Sequence, residues 1–95
     1  MINRRVVITG IGIYSCIGKN INEVTNSLKE GKSGIGIDPA RTDMGYRSSL
    51  TGIIDIPILK GSLSRRQRVS MAEEALFAYV STVEALDNAK IDDNF

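Results

Sequence analysis

Two groups of side chains in this sequence have the chemical types that active and binding sites use: one thiol and one cluster of cations. The thiol is Cys16, the only cysteine, and the chain contains no histidine. A cysteine nucleophile needs a neighbouring base that accepts its proton, which is usually a histidine. Cys16 is therefore interpreted as an inert thiol buried in a packed turn. One cysteine without histidine also cannot form a transition-metal site of the usual kind.

The cluster of cations consists of Lys60, Arg65, Arg66 and Arg68. Residues three apart share a face of a helical turn, so Arg65 and Arg68 are predicted to lie together, with Arg66 beside them. Such a group of cations can bind an acidic protein or a phosphate through charge-assisted hydrogen bonds. A solvated helix start explains the same cluster without any partner, because basic residues are common on protein surfaces.

Glycines that follow an apolar run suggest a nucleotide-binding loop, but their spacing does not fit one. A dinucleotide-binding fingerprint that begins at Gly10 and Gly12 needs a third glycine where Ser15 stands. The stretch from Gly12 to Lys19 imitates a P-loop, yet it has one residue too many between its glycines. The lysine is also followed by an asparagine, which lacks the hydroxyl that binds Mg²⁺. No cofactor is therefore expected.

Composition narrows the classes of partner and location. The formal net charge of +1 gives no reason to expect nucleic acid or an anionic membrane as a partner. A single cysteine cannot form an internal disulfide and suits a reducing cytoplasm, which is the expected location. The longest apolar run is far shorter than the roughly 20 residues that cross a membrane. A chain of 95 residues forms one domain at most.

The elements that would position the thiol begin with a strand and a helix. The apolar, β-branched run at 6–8 predicts a strand buried on both faces. Asn20 and Glu23 form a capping-box pattern ahead of a helix predicted over 21–30. Gly31 stands where a left-handed residue ends such a helix. Cys16 is therefore predicted to lie in the turn between this strand and this helix.

The elements that would position the cations follow a glycine-rich stretch. Residues 31–46 are predicted to be a loop, and residues 48–56 a strand or extended segment. Ser64 and Gln67 have the spacing of a second capping box, and a turn is expected at 65–69. Apolar residues from Met71 onward recur at helical spacing and predict a long helix over about 70–89. The cations therefore lie at the start of this last helical region.

Short segments along the whole chain match one protein family in the correct order. They are Arg-Val-Val-Ile-Thr-Gly-Ile-Gly-Ile at 5–13, Ser-x-x-Gly-x-Asn at 15–20, Leu-x-x-Gly-x-Ser-Gly-Ile at 28–35, Met-Gly-Tyr-Arg-Ser at 44–48, Gly52, and the Arg-Arg to Met helix start at 65–71. The chain thereby resembles the β-ketoacyl-[acyl-carrier-protein] synthases, the condensing enzymes of fatty-acid synthesis. The later segments are similar to the synthase I type.

The resemblance implies an α/β protein with a thiolase-type fold, in which two βαβαβαββ halves pack as five helix–sheet layers. Residues 1–95 would form a partial, truncated single domain, an incomplete βαβαβ at the beginning of the first half. The family's acyl-accepting cysteine, two histidines and lysine lie downstream, and Cys16 falls where some relatives carry serine. No catalytic residue carries over, so the chain by itself is expected to be inactive.

The resemblance also implies a partner and a reaction. The family docks the acidic acyl carrier protein partly through basic residues at this helix start, and Arg66 matches one of those positions. Arg65 matches a further basic position. The family's second docking cation falls at Val69, so Arg68 would replace it only from a rotated direction. The implied reaction is a decarboxylative Claisen condensation, catalysed by a homodimer, in fatty-acid or polyketide synthesis.

A function of a different class stays open beside this one. The chain would then be a small, non-catalytic binding module that folds alone, docks acyl carrier protein or self-associates. A partial sheet has an unpaired edge, and such edges pair with other chains. Oligomers or swapped elements are therefore expected if the chain is a truncated piece.

Overall fold

The computed structural model describes residues 3–91, in which four helices and a two-stranded sheet form. In chain order these elements are α1 (Ile21–Glu30), β1 (Ile35–Ile37), α2 (Pro39–Asp43), β2 (Leu50–Gly52), α3 (Arg65–Val69) and α4 (Glu73–Ala89). The strands β1 and β2 are antiparallel, with Gly36 opposite Thr51. This mixed content agrees with an α/β protein. None of the described helices combines the length and apolar character needed to cross a membrane.

Both ends of α1 lie where the sequence predicts them. The Asn20 side chain accepts a hydrogen bond from the Glu23 amide at 2.9 Å and donates one to the Glu23 carboxylate at 2.9 Å. Gly31 ends the helix in the left-handed region, with φ of 68°. The helix is also tied to the turn before it, because the Ser27 hydroxyl donates to the Ile17 carbonyl at 2.5 Å. The spacing of these residues did not predict this last bond.

The prediction of a buried strand at 6–8 is wrong. Val6 is 94% exposed and Ile8 is 85% exposed, and residues 6–8 belong to no strand. A strand is stabilised by hydrogen bonds to a neighbouring strand. Within residues 3–91, the two strands of the sheet pair with each other and none lies beside 6–8. The β-branched pattern therefore indicated only a local preference for strand structure. Burial of a strand requires neighbouring elements, and residues 3–91 supply none beside 6–8.

The loop predicted over 31–46 contains two short elements, β1 and α2. Asp38 caps the start of α2, because its carboxylate accepts a hydrogen bond from the Ala40 amide at 3.1 Å. Pro39 occupies the first helical position, where a missing amide hydrogen costs nothing. The strand expected over 48–56 is shorter than predicted and ends at Gly52, since its partner β1 offers only three residues.

The last two helices correspond to the turn and the long helix of the prediction. The turn expected at 65–69 is the helix α3, and the long helix begins at Glu73, three residues later than predicted. Ala72 precedes α4 without a side-chain hydrogen bond that caps it. The left-handed residue that ends α4 is Lys90, with φ of 59°. Residues 70–72 thus lie between the two helices, although the apolar pattern placed them in the long one.

The described residues share little buried core. Val24 and Leu59 are each 8% exposed and Ser27 is 5% exposed, and the other described residues are more open than these. The radius of gyration is 17.3 Å, whereas a compact domain of this size has about 13 Å. The helices and strands are therefore held mainly by their caps, backbone bonds and a few long-range contacts.

One long-range contact brings an extended segment onto α4. A Cβ placed on Gly10 would overlap the Ala85 carbonyl oxygen, and one placed on Gly12 would overlap the Ser81 carbonyl oxygen. Two residues of extended chain advance about 6.6 Å and four residues of helix about 6 Å, so the two repeats stay in register. Gly10 and Gly12 are therefore required by the close approach of two backbones.

Candidate functional site

The basic cluster lies on α3 and on the turn that precedes it. The buried Leu59 begins this turn, and its carbonyl accepts hydrogen bonds from the Ser62 and Leu63 amides at 3.1 and 3.0 Å. Ser64 then caps α3: its hydroxyl accepts from the Gln67 amide at 3.2 Å, and its amide donates to Gln67 Oε1 at 3.0 Å. This confirms the predicted capping box. An isolated helix of five residues would not form in water, so these local bonds determine where α3 begins.

The three arginines of α3 differ in their environments. Arg65 and Arg66 are exposed, whereas Arg68 is half-buried. The Nε of Arg68 is buried and has no hydrogen-bond partner among the described residues. Although Arg65 and Arg68 are three residues apart, the structure therefore does not offer them equally to solvent. The exposed cations of the cluster are Arg65, Arg66 and Lys60.

The charges of the exposed arginines are not neutralised within residues 3–91. The ion pairs in this part of the chain join Lys19 to Asp55 at 3.4 Å and Arg41 to Asp38 at 4.0 Å. An exposed cation without a carboxylate partner contributes its full charge to the surface potential. The face of α3 that carries Arg65 and Arg66 is therefore suited to bind a negatively charged partner.

An apolar residue lies between these two arginines. At about 100° per residue, Val69 projects about 40° from Arg65 and about 60° from Arg66, on the arc between them. Its side chain is 77% exposed. The resemblance marks position 69 as the place of a docking cation that this chain lacks, so its valine was not predicted to be a binding residue. The available signal was its spacing, since it lies four residues after one exposed arginine and three after the other.

The thiol of Cys16 is exposed, so the predicted burial is wrong. Cys16 lies in the turn closed by a 2.7 Å hydrogen bond from the Ser15 amide to the Gly18 carbonyl. Two glycines border its sulfur: a Cβ on Gly34 would lie 2.7 Å from it and one on Gly52 would lie 3.1 Å from it. The turn is packed on that side and open on the other.

A surface pocket of about 160 Å³ lies beside Cys16. Asp55, which lines the pocket, is held by its ion pair with Lys19. The sequence provides no histidine to accept the thiol proton. Within residues 3–91, no three side chains among His, Cys, Asp and Glu are placed to hold a metal ion. Cys16 thus lies in a packed turn without a histidine that could activate its thiol. The exposed face of α3 is therefore the better candidate site.

Comparison with known proteins identifies the family of this chain. Residues 3–94 match the family model described as "Beta-ketoacyl synthase, N-terminal domain". Relatives named 3-oxoacyl-[acyl-carrier-protein] synthase 1 include those of Haemophilus influenzae (43% identical over 90% of this chain), Buchnera aphidicola subsp. Acyrthosiphon pisum (44% over 94%) and Escherichia coli K12 (37% over 90%). The chain spans 21–22% of the length of these relatives. From the agreement of the sequence segments and the family model, the chain belongs to the β-ketoacyl synthase family.

Proposed function

We propose that this chain is the N-terminal part of a 3-oxoacyl-[acyl-carrier-protein] synthase of fatty-acid synthesis. The observation that carries the proposal is the family match over residues 3–94, with 37–44% identity to proteins of that name. In the reaction, a cysteine thiolate takes the acyl group from a carrier-protein thioester. Malonyl carrier protein then loses CO₂, and the resulting carbanion attacks the acyl-enzyme thioester. The new carbon–carbon bond gives a 3-oxoacyl thioester and releases the thiolate.

The residues of this chain contribute to binding and to the scaffold in this proposal, and not to the chemical step. Cys16 has no histidine available within the chain, and its turn is packed against Gly34 and Gly52. The nucleophile and the two histidines would come from the rest of a thiolase-type domain. Residues 1–95 alone are then inactive, and the whole enzyme works as a cytoplasmic homodimer.

The proposed contribution to binding is the face of α3 that carries Arg65 and Arg66. Both arginines are exposed, and among residues 3–91 neither is paired with a carboxylate. An acidic carrier protein would be steered toward such a face by its charge and held there by charge-assisted hydrogen bonds. Arg68 is half-buried and would support the helix more than it would contact the partner.

The reaction is tested by incubating the whole protein that carries these residues with acyl carrier protein thioesters. The acyl donor and malonyl carrier protein together should release CO₂ and form the 3-oxoacyl product. Omitting the acyl donor is the control for decarboxylation without condensation. A folded whole protein that forms no 3-oxoacyl product from any acyl donor would contradict the proposed reaction.

A further inference from the structure

We infer that Ser70 is a phosphorylation site, and that its phosphate pairs with Arg66 and offsets part of the charge of the basic cluster. The modifying enzyme would be a protein kinase with an acidic substrate groove, which selects arginines ahead of the target serine. The regulatory part of this inference rests on the proposed function, because it requires an acidic partner that binds the exposed face of α3. The modification itself does not depend on that function.

Ser70 lies in an accessible place at the end of a short helix. Its side chain is exposed, and its backbone ends α3 with φ of −82° and ψ of −4°. Its hydroxyl donates a hydrogen bond to the Gln67 carbonyl at 2.8 Å. No residue of α3 is buried, and a helix of five residues opens locally at little cost. A kinase can therefore reach this hydroxyl and the residues that precede it.

The residues ahead of Ser70 supply the pattern that a kinase would recognise. Arg65, Arg66 and Arg68 precede it by five, four and two residues. Arg65 and Arg66 are exposed, and among residues 3–91 neither is paired with a carboxylate. An acidic groove would bind such arginines through charge-assisted hydrogen bonds and bring the following serine to the site of transfer. Ser62 is also exposed but lies ahead of the arginines, so it lacks this pattern and is an internal control.

The chemical step is a phosphoryl transfer from a nucleoside triphosphate. The Ser70 Oγ attacks the γ-phosphorus, the bond from that phosphorus to the bridging oxygen breaks, and the nucleoside diphosphate leaves. A carboxylate of the kinase accepts the hydroxyl proton. Ser70 thereby loses the hydrogen that it donates to Gln67. Because Gln67 is exposed, its carbonyl can accept a hydrogen bond from water instead, so the loss costs little.

Arg66 is the partner that the helix geometry gives to the phosphate. Ser70 keeps helical backbone angles, and side chains four residues apart share a face of a helix. A phosphate carries a charge of about −1.5 to −2 at pH 7 and forms charge-assisted hydrogen bonds with a guanidinium. It would offset about half of the charge of the four cations in the basic cluster. An acidic partner would then be attracted less strongly to α3.

The first test treats the whole protein with a purified serine kinase that selects arginine ahead of its target, together with ATP. We expect tandem mass spectrometry to find the phosphate on Ser70. Ser70→Ala should lose it, and Ser62→Ala should keep it. Absence of phosphate from Ser70 in the treated protein would overturn the inference.

Phosphorus NMR tests the pairing with Arg66, on protein that receives phosphoserine at position 70 during translation. Arg66 should hold the pKa of this phosphate below the ordinary value of a phosphoserine, because a nearby cation favours the dianion. Arg66→Gln should therefore raise the pKa of the phosphate. A pKa that Arg66→Gln leaves unchanged would refute the pairing.

The regulatory part is tested by the dissociation constant of acyl carrier protein for the whole protein with serine or phosphoserine at position 70. We expect about tenfold weaker binding with phosphoserine at low salt, and a smaller difference at high salt, because ions screen the charge. Thermal unfolding of each form verifies that the fold is retained, which is expected for an exposed position.

Arg66→Glu, measured in the same series, separates the inference from the function on which it rests. If Arg66→Glu weakens binding and the phosphate does not, docking through α3 stands and the regulation is refuted. If neither change weakens binding, the docking face is itself refuted, and the regulation is refuted with it.

Discussion

The Glu84 carboxylate accepts a hydrogen bond from the Ile13 backbone amide at 2.8 Å, across 71 residues of sequence. Its second oxygen accepts from the Ile21 amide, at the first residue of α1, at 3.1 Å. One turn further along α4, the Asn88 side chain accepts from the Ile11 amide at 3.2 Å. A single side chain thus joins α4 to the extended segment and to the positive end of α1, where a carboxylate is favourable.

Replacing Glu84 should therefore destabilise the protein more than replacing another glutamate of the same helix. Glu84→Ala leaves two amides without their acceptor, which should lower the free energy of unfolding by about 1–3 kcal/mol. Glu74→Ala removes an exposed carboxylate in the first turn of α4 and should cost less than about 1 kcal/mol. Urea unfolding of the two variants gives the comparison, and equal midpoints would contradict the bridging role of Glu84.

Gly12 should not tolerate a side chain. A methyl group at this position overlaps the Ser81 carbonyl of α4, and neither backbone can move without breaking the packing. Gly31 is the control, since it has open space but a φ of 68°, so Gly31→Ala should cost about 1–2 kcal/mol. Thermal unfolding should show a larger loss for Gly12→Ala. A smaller loss for Gly12→Ala would mean that the extended segment does not lie on α4.

Local signals predicted both ends of α1 and the capped start of α3. The features that the sequence could not show depend on long-range contacts. Asn20, Gly31 and Ser64 act through neighbours a few residues away, so their roles follow from spacing. The burial predicted for 6–8 needed a neighbouring strand, and the bridging by Glu84 depends on an amide 71 residues away. Neither can be derived from local pattern. For α2, by contrast, Asp38 before a proline was a usable signal that the glycine-rich composition around it obscured.

The candidate site was predicted in part. The cluster of cations and its capping box were visible in the sequence, because both depend on residues within one short helix. The unequal exposure of Arg65 and Arg68 was not visible, since it depends on what lies beneath α3. The outward direction of Val69 follows from the helix phase, which is known only once the start of α3 is fixed at Ser64.

Cys16 should be dispensable for condensation. Serine occupies less space than cysteine, so Cys16→Ser fits beside Gly34 and Gly52 without disturbing the turn. We expect the whole protein with this change to form the 3-oxoacyl product at a rate within about twofold of the unchanged protein. Loss of product formation in a variant with unchanged thermal unfolding would instead assign a catalytic role to this thiol.

Residues 1–95 produced alone should self-associate. Val6, Val7 and Ile8 are exposed and belong to no strand, and an exposed apolar segment with unpaired backbone groups pairs with other chains. Sedimentation should show oligomers, and Val7→Lys should shift them toward monomers, because a charge opposes edge-to-edge pairing. A cooperatively folded monomer at micromolar concentration would contradict this expectation and favour a binding module that is stable by itself.

The most direct test of the account is the affinity of acyl carrier protein for the whole protein with Arg66→Glu. Charge reversal at an exposed docking cation replaces attraction by repulsion, so we expect at least about tenfold weaker binding at low salt. Arg47→Glu makes the same change of charge at an exposed position between α2 and β2, and it should leave the affinity within about twofold. If Arg66→Glu weakens binding and Arg47→Glu does not, the result supports docking through α3. Equal affinities for the two variants would contradict it.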